Sequence, residues 1–545
     1  MENHIQASVW EKMALAPLLL LLSVLSIGLL GLTFGIGLGA YTFFAAVFIC
    51  GVVLFLCDRR LFWLFWLTVG LLALWSVVCG LIFDWSYDAM YFHKQAIIAL
   101  KEGWNPLYES SLDATVFAQY PDMDLWLDNY PKGSWIFSAV IYSITNRLET
   151  AKGVNFLFLL PVFALAVDVM RAVFGMGKKK SVVFALLFVL NPVFICQVFT
   201  SYNDLPVGAF MILTALLAMK IIKEKANRYT FLLLFGTLAF SCTVKFTAPV
   251  LCAAVLLPFG IYYIWKKRRE YQKWLRPVAV TLAGFIVGGF VLGFNPYVKH
   301  MLEGKHVIYP VMGEGSYDIM NTNPPKGFED KSTPEKLLFS LFAKTDNVIE
   351  NEPELKIPFS IHESEWIHLS NADIRIGGFG VLFSGILLLS LLIFVVAAAV
   401  KRKINAEIAI MLSVLTLLAL FFPESWWARY SCFTYYIPVF CLVYAADCDA
   451  SKLLRLMSVA ACAAFTVNAL FFASAVVRTG VEVTRDLDSK LDEIKSHGRK
   501  IIVRVNDFPS HVKLFEEHGI EFEVSHSALP EPIVFYRNTK YQFAG

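Results

Sequence analysis

The sequence predicts an α-helical polytopic membrane protein with about thirteen transmembrane helices and a small extracytoplasmic α/β unit at its C-terminal end. Three observations predict it. Of the 545 residues, 57% are hydrophobic and 17% charged, with a mean hydropathy of +0.60, far too apolar for a soluble chain of this length. Apolar runs of spanning length recur along most of the chain. Between them, short basic clusters alternate with loops that carry little positive charge. The net charge of +3 gives no reason to expect nucleic acid as a partner, since membrane topology accounts for the lysines and arginines.

In order, the expected spans lie near residues 13–39, 40–57, 61–83, 151–174, 181–199, 204–222, 229–244, 246–265, 277–296, 375–400, 405–422, 430–447 and 454–477. The first is longer than a signal-peptide core and lacks a small-residue cleavage site, so it is expected to be retained. Residues 229–265 read either as one long tilted helix or as two short ones. If the spans alternate, Arg59-Arg60, Lys178-Lys179-Lys180, Lys223 to Arg228, Lys266 to Arg269 and Lys401-Arg402-Lys403 share one side, whereas the short loops opposite hold little beyond Lys245 and Arg429. The basic side is expected to be the cytoplasm. The N-terminus is then inside, and the loops 84–150 and 297–374 lie outside with the C-terminus.

The first outer loop opens with Met90, Ile97 and Leu100 at helical spacing among Lys94, Lys101 and Glu102, as for a helix lying in the membrane interface, and breaks at Gly103. Ser134 to Tyr142 is apolar but too short to cross, which predicts a second interfacial helix. The second outer loop is rich in Pro, Gly and Asn and is expected to close over a site. Residues 1–477 form the membrane domain and 478–545 the small unit, with strands expected at Lys500 to Val505, Glu521 to Ser525 and Ile533 to Tyr536, and a helix at Pro509 to His518. Fewer than about seventy residues make too small a core to stand alone. All ten cysteines, Cys448 among them, lie in or beside apolar segments and read as small buried hydrophobes.

Charged residues gather at outer helix ends, where work on a lipid head group is favoured over passage through the protein. Asp84 and Asp88 are four apart and share a face if a helix begins by residue 84, one free to act as base while the other positions a group or binds a cation. An N-cap role for Asp84 is the bland alternative. His93 reads as half-buried polar surface or, with Asp88, as a ligand for a divalent metal, which nothing in the sequence requires. Asp122, Asp124 and Asp128 form an acidic run, from which Asp128 stands out because it leads into the turn Asn129-Tyr130-Pro131-Lys132-Gly133. Tyr202-Asn203-Asp204 is equally a plain turn or a site with Asp204 in it. Lys245 interrupts an apolar stretch, and Arg429 sits in an aromatic cluster that interface preference does not explain. Together they suit a phosphate at the lipid surface. Tyr91 and Trp104 could stack on a sugar.

Asp88-Ala89-Met90-Tyr91-Phe92-His93 followed by Gly103-Trp104-Asn105-Pro106 resembles the first outer loop of bacterial GT-C superfamily glycosyltransferases, integral-membrane enzymes that use polyprenyl-phosphate sugars. Asn129-Tyr130-Pro131, Asn295-Pro296 and Ala428-Arg429-Tyr430 are similar to short elements of the same group. The resemblance implies an inverting glycosyltransferase of the bacterial inner membrane, with a polyprenyl-phosphate sugar donor and a lipid or glycan acceptor, and it gives Asp88 the role of base. The sequence departs from the family pattern in having Ala89 where an acidic residue is usual, and two spans before Leu61 where one is usual. Two alternatives stay open: a lipid-linked oligosaccharide flippase, and an O-antigen-type polymerase or ligase leaning on His300, His306, His362, His368 and Arg375.

Overall fold

The computed structural model describes residues 7–113, 123–318, 323–446 and 452–544; Asp122 and Cys448 lie outside them. Among the described residues, nine helices are long and apolar enough to cross a membrane: Val9–Thr33, Ala40–Cys57, Arg59–Gly80, Leu148–Ala172, Asp204–Ile222, Thr247–Lys266, Tyr271–Leu292, Phe383–Lys401 and Lys452–Ser496. The chain is a multi-pass membrane protein. The other four expected spans are short or broken. Residues 181–199 divide into Lys178–Val189 and Pro192–Gln197, because the Asn191 side chain caps the second piece by accepting from the Val193 N–H, and Pro192 starts it. Arg228–Ser241 and Ala406–Phe421 are apolar helices of 14 and 16 residues, and the segment near 430–447 forms a helical stretch at Cys432–Ala445. Residues 229–265 are two helices, parted by an irregular stretch at 242–246.

Asp204–Ile222 is buried along its whole length and forms the centre of the bundle. At its far end Lys220 is clasped by Glu11 at 2.7 Å and Asp168 at 2.6 Å, three charged groups with almost no exposure. Ion pairs at that depth hold only because each charge meets another. On the same side Asp58 caps Arg59–Gly80 by accepting from the N–H groups of Arg60 and Leu61, while Lys12 reaches its other oxygen at 2.6 Å.

Neither of the two expected interfacial helices lies on a surface. Lys94–Glu102 ends at Gly103 in the left-handed conformation (φ 110°), as the sequence predicts, but residues 94–100 are all buried. Lys94 is enclosed because Glu149 pairs with it at 2.5 Å. Gly133–Thr145 is buried from Gly133 to Tyr142 and packs against Lys94–Glu102 and the first two helices.

Lys452–Ser496 continues as one helix of 45 residues, roughly 67 Å at 1.5 Å per residue, so residue 477 falls inside a helix. Its second half carries a four-stranded sheet of β1 (Ile501–Arg504), β2 (Phe522–Val524), β3 (Ile533–Tyr536) and β4 (Thr539–Phe543), in the order β2-β1-β4-β3. β1 pairs parallel with β2 and antiparallel with β4. β4 was not expected from the sequence; it follows β3 through a tight turn in which Arg537 takes φ 52°. Leu487, Leu491 and Ile494 of the long helix, Ile501, Phe515 and Phe535 of the unit, and Phe83 and Met90 of the first loop share one core. The small unit therefore completes its core with residues that flank Asp88.

Candidate functional site

A cavity of about 900 Å³ gathers Asp88, Tyr91, His93, Asp204, Lys245 and Arg429 on its walls. It lies at the end of the bundle where the C-terminal unit sits, since Tyr87 on its wall meets Phe508. Its size is that of a site for a small molecule.

Asp88 precedes a π-helical turn, Ala89–His93, in which the Lys94 N–H reaches the Ala89 carbonyl. The wider turn places both Phe92 and His93 on the cavity wall with Asp88. The helix begins only at Tyr87, so Asp84 lies in the non-helical stretch before it and the four-residue spacing does not set Asp84 and Asp88 on one face. Asp84 turns away and has no exposure. It accepts from the Ser86 N–H at 3.1 Å, the Ser86 hydroxyl at 2.5 Å and the Ser201 N–H at 2.8 Å, and so ties the loop to the 200–203 turn without lining the cavity.

Arg429 is the centre of the charges. Its Nη1 lies 3.0 Å from Asp88 Oδ2 and 3.2 Å from Asp373 Oδ1, its Nη2 donates to the Tyr430 hydroxyl at 2.5 Å, and its Nε lies 3.3 Å from Asp204 Oδ2 without hydrogen-bond alignment. Lys245 sits 2.5 Å from Asp204 Oδ1 and 4.6 Å above the Tyr430 ring. It does not snorkel to a surface, because Asp204 is there to meet it. Arg375 holds the second oxygen of Asp373 at 2.9 Å. Three carboxylates thus face three cations across 88, 204, 373, 245, 375 and 429.

Of the three carboxylates Asp88 is the most open, with its side chain 28% exposed against 20% for Asp373 and 6% for Asp204. Burial pushes its pKa up, Arg429 pulls it down, and Asp373 and Asp204 push it up again, for a net rise above the usual carboxylate range. Burial lowers the His93 pKa to about 3, with the Lys245 charge adding to the drop, so His93 is a neutral imidazole. For Lys245 burial acts downward but Asp204 outweighs it, and the ammonium is kept.

Asp128 and Trp104 stand apart from the cavity. The Asp128 carboxylate accepts from the Ser110 hydroxyl at 2.6 Å and the Ser111 N–H at 2.7 Å, which closes the first loop on itself. Trp104 is buried in the bundle core. Among the described residues no group of three or more His, Cys, Asp and Glu side chains is placed to hold a metal ion. The suggested Asp88 and His93 pair has no third such side chain beside it among the described residues, and Asp88 already faces Arg429.

Asp373 escaped the sequence reading, as did Trp126 and Tyr317 on the aromatic wall beside Tyr91, Phe92 and Tyr130. The one signal for Asp373 is its place in Asp373-Ile374-Arg375, two opposite charges flanking an apolar residue just before a span. Of the second-loop residues considered for ligase chemistry, Arg375 lines the cavity and His300, His306, His362 and His368 do not.

A family model described as a domain of unknown function (DUF8201) matches residues 131–319, roughly a third of the 545-residue chain. That stretch is similar to the family and holds Asp204 and Lys245; Asp88, Asp373 and Arg429 lie outside it. No curated protein matches the chain.

Proposed function

We propose that this protein is an inverting glycosyltransferase that moves a sugar from a polyprenyl-phosphate donor to a cell-envelope acceptor at the outer face of the cytoplasmic membrane, with the shorter apolar helices completing the set of spans. The observation that carries the reading is Asp88: an accessible carboxylate with a raised pKa, on the wall of an aromatic-lined cavity that also holds Lys245 and Arg429. A base works best when its pKa approaches the working pH, and burial moves Asp88 in that direction.

Asp88 takes the proton of an acceptor hydroxyl. The freed oxygen attacks the anomeric carbon from the face opposite the phosphate, and the carbon–oxygen bond to phosphate breaks with its electron pair leaving on the polyprenyl phosphate. Lys245 and Arg429 balance that departing charge. Because both cations already face carboxylates, proton uptake by Asp88 also releases part of the hold on Arg429 as negative charge develops on the phosphate. The rings of Tyr91 and Trp126 offer flat apolar faces to a sugar.

The test is transfer of radiolabelled sugar from a panel of polyprenyl-phosphate donors to envelope acceptors, by purified wild type and by Asp88→Asn. Transfer that is lost in the variant supports the reading. Arg375 on the cavity wall favours polymerase or ligase chemistry as the second reading, and transfer of preassembled glycan that survives Asp88→Asn but not Arg375→Gln would put it first.

A further inference from the structure

We propose that Asn203 and His93 form a two-donor cradle for a phosphoryl oxygen, and that Ser134 and Trp135, consecutive residues on one helix, are the positioning residues that aim the two donors. Both donors line the cavity and both are buried.

Asn203 Oδ1 accepts from the Ser134 hydroxyl at 2.9 Å, which spends the oxygen end of the amide. Its Nδ2 is buried and has no hydrogen-bond partner among the described residues. An unpaired buried donor is destabilising, and such a group in a cavity wall is accounted for when a ligand supplies the acceptor.

His93 is arranged in the same way. An indole N–H can only donate, and the Trp135 Nε1 lies 2.8 Å from His93 Nδ1, so Nδ1 is the acceptor. The proton of the neutral ring is then on Nε2, for which there is no partner among the described residues. Trp135 is itself 1% exposed and enclosed in the bundle core, so it holds the ring rather than following it. Ser134 and Trp135 open the Gly133–Thr145 helix, and one rigid element therefore orients both donors.

The chemistry of the ligand follows from what this wall lacks. Asp204 spends its oxygens on Lys245, Gln197 and Arg429, and Asn203 Oδ1 is taken by Ser134. Among the side chains of residues 93, 203 and 204, the wall thus leaves two N–H donors unpaired and no unpaired acceptor. A hydroxyl brings a proton of its own that needs an acceptor; a phosphoryl oxygen does not. Lys245 and Arg429 are already faced by carboxylates, so neutral donors supply attraction for an oxyanion that the paired cations supply only in part.

The phosphate in question is that of the lipid donor, so the ligand's identity rests on the glycosyltransferase reading, and the experiment separates the two. Full-length protein in nanodiscs is titrated with polyprenyl monophosphate, with the parent polyprenol and with inorganic phosphate, for wild type, Asn203→Leu, Ser134→Ala and Trp135→Phe. The expected result is a loss of at least tenfold in affinity for the lipid phosphate in Asn203→Leu, a smaller loss in the two positioning variants, and unchanged polyprenol binding in all. Ser134→Ala removes one oxygen and leaves the helix intact, so it reports on the cradle even if Asn203→Leu fails to fold.

A readout that mere loss of packing would not move is the ¹⁵N signature of His93: protonated at Nε2 in wild type, mixed between the two tautomers in Trp135→Phe. Lipid-phosphate affinity within twofold of wild type in Asn203→Leu and Ser134→Ala overturns the cradle, whatever the enzyme transfers. Phosphate-dependent, Asn203-dependent binding by a protein that transfers no sugar supports the cradle and sinks the transferase reading instead. Inorganic phosphate competing as well as the lipid, with the same sensitivity to Asn203→Leu, keeps the cradle and assigns it to free phosphate.

Discussion

Tyr87, the residue before Asp88, meets Phe508 of the C-terminal unit edge to face, with ring centroids 5.4 Å apart. The unit grips the same stretch elsewhere: Arg537 donates to the Trp85 carbonyl at 2.7 Å, Ser510 donates to the Met90 carbonyl at 3.3 Å, and His511 Nε2 lies 3.2 Å from the Met90 sulfur. Residues on both sides of Asp88 are therefore held from outside the bundle. Tyr87 also stacks on Tyr91, which lines the cavity, so the grip reaches the cavity wall.

Replacing Phe508 by Ala removes the edge-to-face contact, worth about 0.5–1.5 kcal/mol beyond its buried area. The expected outcome is a several-fold fall in transfer together with some loss of stability of the C-terminal unit, since Phe508 is buried in the core that the unit shares with the long helix. Rates and thermal unfolding measured on the same preparation check it. Unchanged transfer would mean that the unit does not position Asp88.

Arg429 holds Asp88, Asp373 and Asp204 together, and among the described residues no other cation is paired with all three. Arg429→Met leaves those carboxylates without their shared cation, and breaking a buried pair from one side costs about 3–5 kcal/mol. A clear drop in Tm is expected. Adding Asp373→Asn to Arg429→Met removes one of the stranded charges and is expected to recover part of the loss, whereas independent sites would give two additive losses.

How far these relationships were legible in the sequence depends on the distance over which each is set. Gly103 stops a helix through its own backbone, and the apolar runs report spans through their own length, so both can be read locally. The role of Asp84 depends on where a helix starts, and the helix starts at Tyr87, three residues after Asp84, whose carboxylate is occupied by Ser86 and by Ser201 from another loop. Asp373 meets Arg429 only through folding of the second loop, and no local spacing announces that contact. The long helix passes residue 477 because nothing in Val476 to Val481 breaks it, although hydropathy falls there. Hydropathy marks where a membrane ends; it does not mark where a helix does.

Acid is expected to destabilise the C-terminal unit through His511. Burial lowers its pKa from 6.5 to about 3, with the Lys94 charge acting in the same direction. The unfolded chain takes up a proton near 6.5 and the native chain only near 3, so the unfolded state binds more protons between those values. The stabilising contribution is complete above pH 6.5 and is lost as pH falls towards 3, by at most about 1.4 kcal/mol per pH unit. His511→Gln cannot titrate, and its stability profile between about pH 4 and 7 should be flatter than that of wild type by up to one proton. Equal slopes in denaturant titrations across that range would show that His511 is protonated in the fold.

Gly133 is expected to tolerate no side chain. A Cβ there would lie 2.1 Å from Thr243 Oγ1, 2.6 Å from its Cβ and 2.9 Å from its carbonyl oxygen, and the last of these is backbone that cannot rotate aside. The close approach has a purpose, since the Gly133 N–H donates to that same carbonyl at 2.7 Å and fixes the stretch leading to Lys245. Overpacking of this kind costs about 1–3 kcal/mol. Gly133→Ala should therefore lower Tm and, by shifting residues 243–245, weaken lipid-phosphate binding as well. Gly260→Ala is the matched control: it lies within Thr247–Lys266 with nothing within 4 Å of the added carbon, and is expected to be neutral or slightly stabilising. Equal behaviour of the two variants would show that residue 133 has room for a side chain and that Lys245 is held in place by something other than this contact.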